Sequence, residues 1–283
     1  MEFIMNYKIV SDSSSDIFSL DNVNFSSVPL KIITDEKEYI DTYDLDVDNM
    51  IADLKKYKGT SKSSCPNMDE WAESFEDSDC IFCVTITKNL SGSYNSACLA
   101  VEDLAEEHPE KKAFVVDTLS AGPECALIVE KLKELIEEGH SFEEIKSRIC
   151  NYQKSTHLLF CLESLRNLAN NGRISQASAK IAGILGIRVV GKASDEGTLE
   201  LLTKVRGTDK AIAETYSQMK ANGYSGGKVR IHQCQNPDSA EALRHMILED
   251  FPDANVIISK AGALCSFYAE SGGYLVGYEG AEK

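Results

Sequence analysis

Cys80-Ile81-Phe82-Cys83-Val84-Thr85-Ile86-Thr87-Lys88-Asn89-Leu90-Ser91-Gly92-Ser93 is an apolar run followed at once by a hydroxyl-rich turn. Beyond it, Ala97, Val101 and Leu104 recur at helical spacing. A short unbroken apolar run reads as a strand buried on both faces, and such strands belong to parallel sheets lying between helix layers.

The same alternation continues on either side. Tyr7–Val10 is a candidate first strand ending at Ser11-Asp12, and Val28-Pro29-Leu30-Lys31-Ile32-Ile33 reads as a second. Val47, Met50, Ile51 and Leu54 form a helix stripe behind Asp46; Met68, Trp71, Ala72 and Phe75 form another behind Asn67. Ala113–Val116 is a further strand. A helix carrying Leu127, Ile128, Leu132 and Leu135 then ends at Gly139, and Ser141 with Glu144 has capping-box spacing for the next. Strands separated by helices imply right-handed crossovers and a three-layer α/β/α arrangement over residues 1–154. Residues 155–283 read as a mixed α/β domain: strands at His157–Cys161, Ile187–Val190, Thr198–Val205, Lys228–His232 and Ala254–Ser259, with helices near 208–221 and 238–249. The fold class is therefore α/β in two domains.

The 283 residues carry 29 Lys+Arg against 45 Asp+Glu, a net charge of −16. No basic run exists to neutralise a nucleic-acid backbone, and docking on an anionic membrane surface is disfavoured. No apolar stretch reaches the ~18 residues of a membrane span, so stable membrane insertion is not expected. Met1-Glu2-Phe3-Ile4-Met5 lacks the basic start and apolar core of a signal peptide, and nine cysteines, an odd number, are scattered through the elements. The expectation is reduced thiols in a cytoplasmic protein. Cys80 and Cys83 have metal-ligand spacing, but a strand points them to opposite faces and no second cluster completes a site. No metal is expected.

Ligands of parallel α/β sheets bind beyond the carboxyl ends of the strands. Four hydroxyl-rich loops are expected at or near that edge: Ser11–Ser15, Thr60–Ser64, Thr87–Ser93 and Asp117–Gly122. A helix start offers free N–H groups and partial positive charge, and hydroxyls add donors, so an anion can be held there without a formal cation. Each hydroxyl can equally be no more than a helix cap. Leu90-Ser91-Gly92-Ser93 is not the Gly-x-Ser-x-Gly elbow of a serine hydrolase, and neither a Walker loop nor a dinucleotide fingerprint is present. In the second half, Asn170-Asn171-Gly172-Arg173-Ile174-Ser175 reads as a helix end turning through Gly172. It presents Arg173 either to an interface or back to the preceding carbonyls.

Read together, these segments resemble the DegV family of bacterial fatty-acid-binding proteins. Asp12-Ser13, Val28-Pro29-Leu30, Thr60-Ser61, Leu90-Ser91-Gly92-Ser93, Asp117-Thr118, Asn171-Gly172-Arg173-Ile174-Ser175 and Lys204-Val205-Arg206-Gly207 follow its order and spacing, from Tyr7 to about Tyr278. The resemblance implies one long-chain fatty acid enclosed in a tunnel between the domains, with no other cofactor. It implies a non-catalytic carrier that presents the acid to a separate ATP-dependent fatty-acid kinase subunit, giving an acyl phosphate. Ser91 would be the principal carboxylate donor and Thr60 and Ser61 supporting ones. Gly92 would supply an N–H, and Arg173 would lie near the head group or face the kinase.

Three segments depart from the family pattern. Tyr268-Ala269-Glu270-Ser271-Gly272 stands where His-Thr-Gly-Pro-Gly is common, Lys62-Ser63 replaces Gln-Pro, and Gly186-Ile187-Arg188-Val189 stands where Ile-Lys-Pro is usual. Tyr268 retains a hydrogen-bond donor, whereas Glu270 would repel a carboxylate unless its loop turns outward. The departures point to a divergent acyl preference or head-group geometry. The competing reading is a serine-dependent acyl hydrolase acting at the same hydroxyl cluster; a vestigial pocket is a third.

Overall fold

The computed structural model describes residues 6–76, 78–179 and 186–283. Strand β1 (Tyr7–Asp12) runs parallel to β2 (Asn24–Val28). The single strand expected over Val28–Ile33 is broken. Pro29 has no N–H to extend the ladder, and the Leu30 N–H is taken by Ser13 Oγ at 3.0 Å. The chain then leaves for a small antiparallel flap, in which β3 (Lys31–Ile33) pairs with β4 (Glu38–Ile40) and, further along, with β5 (Lys62–Ser64). Between β4 and β5 lies α1 (Val47–Lys56), capped by Asp46; α2 (Met68–Glu73) follows with the Asn67/Glu70 capping box.

The quoted apolar run is β6 (Cys80–Thr85), buried at every position, and α3 (Ser93–Glu107) leaves from its hydroxyl turn. Then come β7 (Lys112–Asp117), α4 (Pro123–Glu137) and α5 (Phe142–Tyr152), the last opened by the Ser141/Glu144 box. The sheet has order β2-β1-β6-β7, parallel throughout. Trp71, Phe75, Ala97 and Ala100 cover one face. Ile128, Leu132, Phe142 and Ile145 cover the other. Cys80 and Cys83 fall into these opposite clusters, and burial pushes both thiols up.

The turn Gln153–Ser155, where the boundary at 154/155 was expected, hands the chain to β8 (Thr156–Leu162). Short helices α6 (Arg166–Asn170) and α7 (Gln176–Ala179) precede the hairpin β9 (Ile187–Ala193) and β10 (Leu199–Arg206). Next come α8 (Thr208–Ala221), β11 (Val229–Gln233), α9 (Pro237–Asp250) and β12 (Val256–Lys260). Two closing elements lie outside the sequence expectation, α10 (Ala263–Ala269) and β13 (Tyr274–Glu279). The mixed sheet has order β10-β9-β8-β13-β11-β12, so the last strand fills the middle. Helices α8 and α9 cover one face through Ile212, Tyr216, Leu243 and Ile247. Phe160, Leu162 and Val189 on the other join a core cluster with Leu30, Met50 and Ile86 of the first half.

Helix α4 packs against both sheets. An ideal Cβ on Gly277 of β13 would lie 2.4 Å from the Pro123 carbonyl carbon and 2.5 Å from the Glu124 nitrogen, so only glycine admits this approach. Farther along, Glu130 receives Arg230 of β11 in a two-pronged pair at 2.7 and 2.6 Å. Among the described residues no helix is long and apolar enough to cross a membrane. Gly277→Ala forces α4 off β13 and is expected to cost about 1–3 kcal/mol, as overpacking typically does. An unchanged urea midpoint would show that the approach is not tight in solution.

Candidate functional site

Residues from both halves enclose a cavity of about 670 Å³ counted with its mouth, within the range of ligand pockets. Leu30, Ile86 and Ala121 wall it from the first half, and Phe160, Leu199 and Leu275 from the second. Its polar lining consists of Ser63, Ser91, Arg173 and Tyr268, with the Cys265 thiol beside them in the wall.

The polar side chains reach the cavity from four different places in the chain, and three of them, Ser63, Tyr268 and Arg173, meet one another. Ser63 comes from β5 and shares a hydrogen bond of 2.6 Å with the Tyr268 hydroxyl on α10. The Arg173 guanidinium lies 5.7 Å from the Tyr268 ring centre. It also donates from Nε to Leu90 O at 3.0 Å and from Nη1 to Asn171 O at 2.6 Å. Arg173 owes its position to the end of α6. Gly172, at φ 74°, lets its N–H reach Ala169 O and that of Arg173 reach Leu168 O, the paired bonds of a Schellman turn. Ser91 follows Leu90 in the β6–α3 loop, where the N–H groups of both fold back on Thr87 O. Its hydroxyl accepts from Ser93 N at 3.3 Å.

That loop is anchored from beneath by Asp12, which is fully buried at the end of β1. Its carboxylate accepts from Ile86 N at 3.0 Å and Ser93 Oγ at 2.6 Å, and from Ser14. Burial raises the Asp12 carboxyl above its ordinary value, and these bonds partly oppose the rise. Burial likewise raises the Tyr268 phenol, while Ser63 and Arg173 pull it back. Tyr268 therefore remains a donor throughout the physiological range.

Of the expected site residues, Ser91, Arg173 and Tyr268 line the cavity together. Thr60 is exposed, and Ser61 is half-buried with its carbonyl receiving Asn171 Nδ2 at 3.3 Å. Gly92 is exposed at the start of α3, where an added Cβ would press on Cys65 Sγ at 3.1 Å. None of these three is among the lining residues. Residues 60–64 also lie in the antiparallel flap, not beyond the end of a parallel strand, because β5 pairs with β3. Ser63, expected as one member of the Thr60–Ser64 hydroxyl loop and as a departure from the family pattern but not as a site residue, takes the lining position. Reading 62–64 as a strand would have found it, since alternate residues share a face.

No Asp or Glu is among the lining residues. Glu270 turns outward: it accepts from Ser164 Oγ at 2.6 Å, Arg166 Nη2 at 3.2 Å and Asn167 N at 3.3 Å, at the start of α6. No histidine lines the cavity either. His232 meets Asp16 at 2.7 Å and His157 meets Ala281 O at 2.8 Å. Among the described residues no group of three His, Cys, Asp or Glu is placed to hold a metal.

A family model described as an uncharacterised protein of the DegV family matches residues 6–279. A DegV domain-containing protein of Streptococcus pneumoniae is 45% identical over 279 residues, covering 97% of this chain and 99% of that one. Two crystal structures are similar at 44% identity. One is the Streptococcus pneumoniae fatty acid kinase (Fak) B3 protein loaded with linoleic acid, with a TM-score of 0.96 over 98% of this chain and 100% of that one. The other is a Eubacterium eligens DegV family protein loaded with heptadecanoic acid, with a TM-score of 0.95 over 97% and 100%.

Arg173→Met removes both carbonyl contacts and the charge over Tyr268. The expected result is a loss of about 1–3 kcal/mol, the range for hydrogen bonds to charged groups, with faster amide exchange at Leu90 and Ser91. Unaltered exchange there would show that Arg173 does not hold the loop.

Proposed function

The chain belongs to the DegV family, and from that premise we propose that it binds one long-chain fatty acid in the cavity and presents it to a partner kinase. The observation that carries this reading is the cavity itself: an apolar cavity lined by Ser63, Tyr268 and Arg173 in mutual contact and by Ser91, with no carboxylate among its described lining residues. Burying about fifteen methylenes at ~0.8 kcal/mol each is favourable by ~12 kcal/mol before ordering costs. Each hydrogen bond to the charged head adds about 1.5–3 kcal/mol. The tail thus sets affinity, and the head contacts set where the carboxylate points.

In this reading Ser91 is the principal donor, aided by the Ser63–Tyr268 pair. Arg173 supplies the countercharge. Ser61 acts one step behind, its carbonyl accepting from Asn171 Nδ2. The partner transfers the terminal phosphoryl group of ATP to a carboxylate oxygen. That bond forms as the bond to ADP breaks, giving an acyl phosphate; magnesium and ATP belong to the partner. Dependence on ATP makes the cytoplasm the working compartment, and the chain itself is a carrier with no catalytic residue. A hydrolase at Ser91 would need a base within hydrogen-bond reach. The absence of histidine from the lining favours the carrier.

Ser91→Ala is the test. Fatty-acid affinity is expected to fall by about tenfold, the equivalent of one ~1.4 kcal/mol contact, and acyl phosphate formation with the kinase by a larger factor. Equal losses in both assays contradict an orienting role. Hydrolysis of a simple acyl ester by the wild type that Ser91→Ala abolishes would favour the hydrolase.

A further inference from the structure

Asp41, at the end of β4, is 1% exposed and ties two other elements to its own, the turn after β1 and α10. Its carboxylate accepts from Ser13 Oγ at 2.9 Å, from Ala263 N at 2.7 Å and from Leu264 N at 3.1 Å. The last two are first-turn amides of α10, the helix that brings Leu264, Cys265 and Tyr268 to the cavity. The residue preceding α10, Gly262, has no side chain to cap it, so the cap comes from Asp41, more than two hundred residues earlier in the chain. The absence of a side chain there also admits a second carboxylate. An ideal Cβ on Gly262 would lie 2.5 Å from Asp16 Oδ1 and 3.1 Å from Asp41 Oδ1. Asp16 stands in the left-handed region at φ 57°, its Oδ2 held by His232 Nδ1 at 2.7 Å. Its Oδ1 is buried without a hydrogen-bond partner among the described residues.

We propose that Asp41 is a positioning residue for the head-group wall: by tying α10 to the flap and to the turn after β1 it sets Tyr268 against Ser63 and Arg173, and the tie responds to its charge. The proposal rests on the fatty-acid reading for one of its two readouts only. Burial, and then the charge of Asp16, push the Asp41 carboxyl up to about 7. The other groups facing this cluster are His232 of β11, through Asp16, and the Cys265 thiol of α10 with Cys125 of α4 beside it. A carboxyl raised above its unfolded value of 3.8 favours the docked arrangement fully below that value. Its contribution is lost as pH rises through about 7. A proton on Asp41 removes its repulsion with the charge of Asp16. Docking of α10 therefore tightens on acidification within the near-neutral range.

The test follows release of radiolabelled oleate at about pH 6 and about pH 8 from the wild type, Asp41→Asn and Asp41→Ala, together with amide exchange across Ala263–Tyr268 corrected for intrinsic rates. Linkage with a single carboxyl moving from 3.8 to about 7 predicts release up to about tenfold slower at the lower pH in the wild type. Asp41→Asn keeps an acceptor and stays neutral, so its release is slow at both pH values. Asp41→Ala loses the cap and releases quickly at both. The same pH ratio in wild type and Asp41→Asn overturns the proposal, because the dependence then comes from the ligand carboxyl or another group. If no variant retains oleate at any pH, the fatty-acid reading falls. Amide exchange then decides the role of Asp41 alone: exchange in α10 that Asp41→Asn leaves pH-dependent overturns it, and exchange that the substitution flattens upholds it.

Discussion

The first turn of α4 rests so closely on β13 that position 277 has room for no side chain, and this contact organises the space between the two sheets. It presses the helix that follows the parallel sheet's last strand onto the middle of the mixed sheet. It also brings Ala121, at the head of α4, and Leu275, on β13, to the same cavity. Gly122 is more loosely confined, with an ideal Cβ 3.2 Å from Leu275 and 3.4 Å from Cys265. Close-packed interiors transmit such constraints. The cavity is what remains when backbones approach this far and the facing side chains are Leu, Phe and Ala.

With a net charge of −16, the chain could receive an anion only by arranging its acids away from the receiving end. Glu270 shows how this is done locally, turning to Ser164 and Arg166 at the start of α6. Asp12 is kept inside, spending its lone pairs on the β6–α3 loop that carries Ser91. What faces the cavity is neutral apart from Arg173, whose charge is already shared between two carbonyls and an aromatic face. On the proposed reading a head group here would meet pre-oriented dipoles together with a single guanidinium already engaged by the protein.

The parallel half was legible because its signals are local: β6 is an unbroken apolar run, and α1, α2 and α5 announce themselves through Asp46, Asn67 and Ser141. The misreadings have physical causes. Val28–Ile33 carries a strand-like composition, but its pairing is decided at Pro29 by a hydrogen bond from Leu30 to Ser13, seventeen positions away. Helix α10 is short and buried nearly all round, so it shows no amphipathic stripe to read. Strand β13 hides behind Gly272-Gly273 and contains Gly277, residues that ordinarily signal turns. Ser91, Arg173 and Tyr268 were found through family spacing. Ser63 was not, because its role depends on which way a three-residue strand faces, and Asp41 is recognisable only once α10 is seen to lack a cap of its own.

These features describe a protein whose halves meet around an apolar cavity with a polar gathering point built from β5, α10 and the turns before α3 and after α6. Native mass spectrometry of the purified chain tests that account most directly. It predicts one adduct per chain, displaced on denaturation and matching a single long-chain fatty acid. A bare chain that stays bare after incubation with oleate would contradict it.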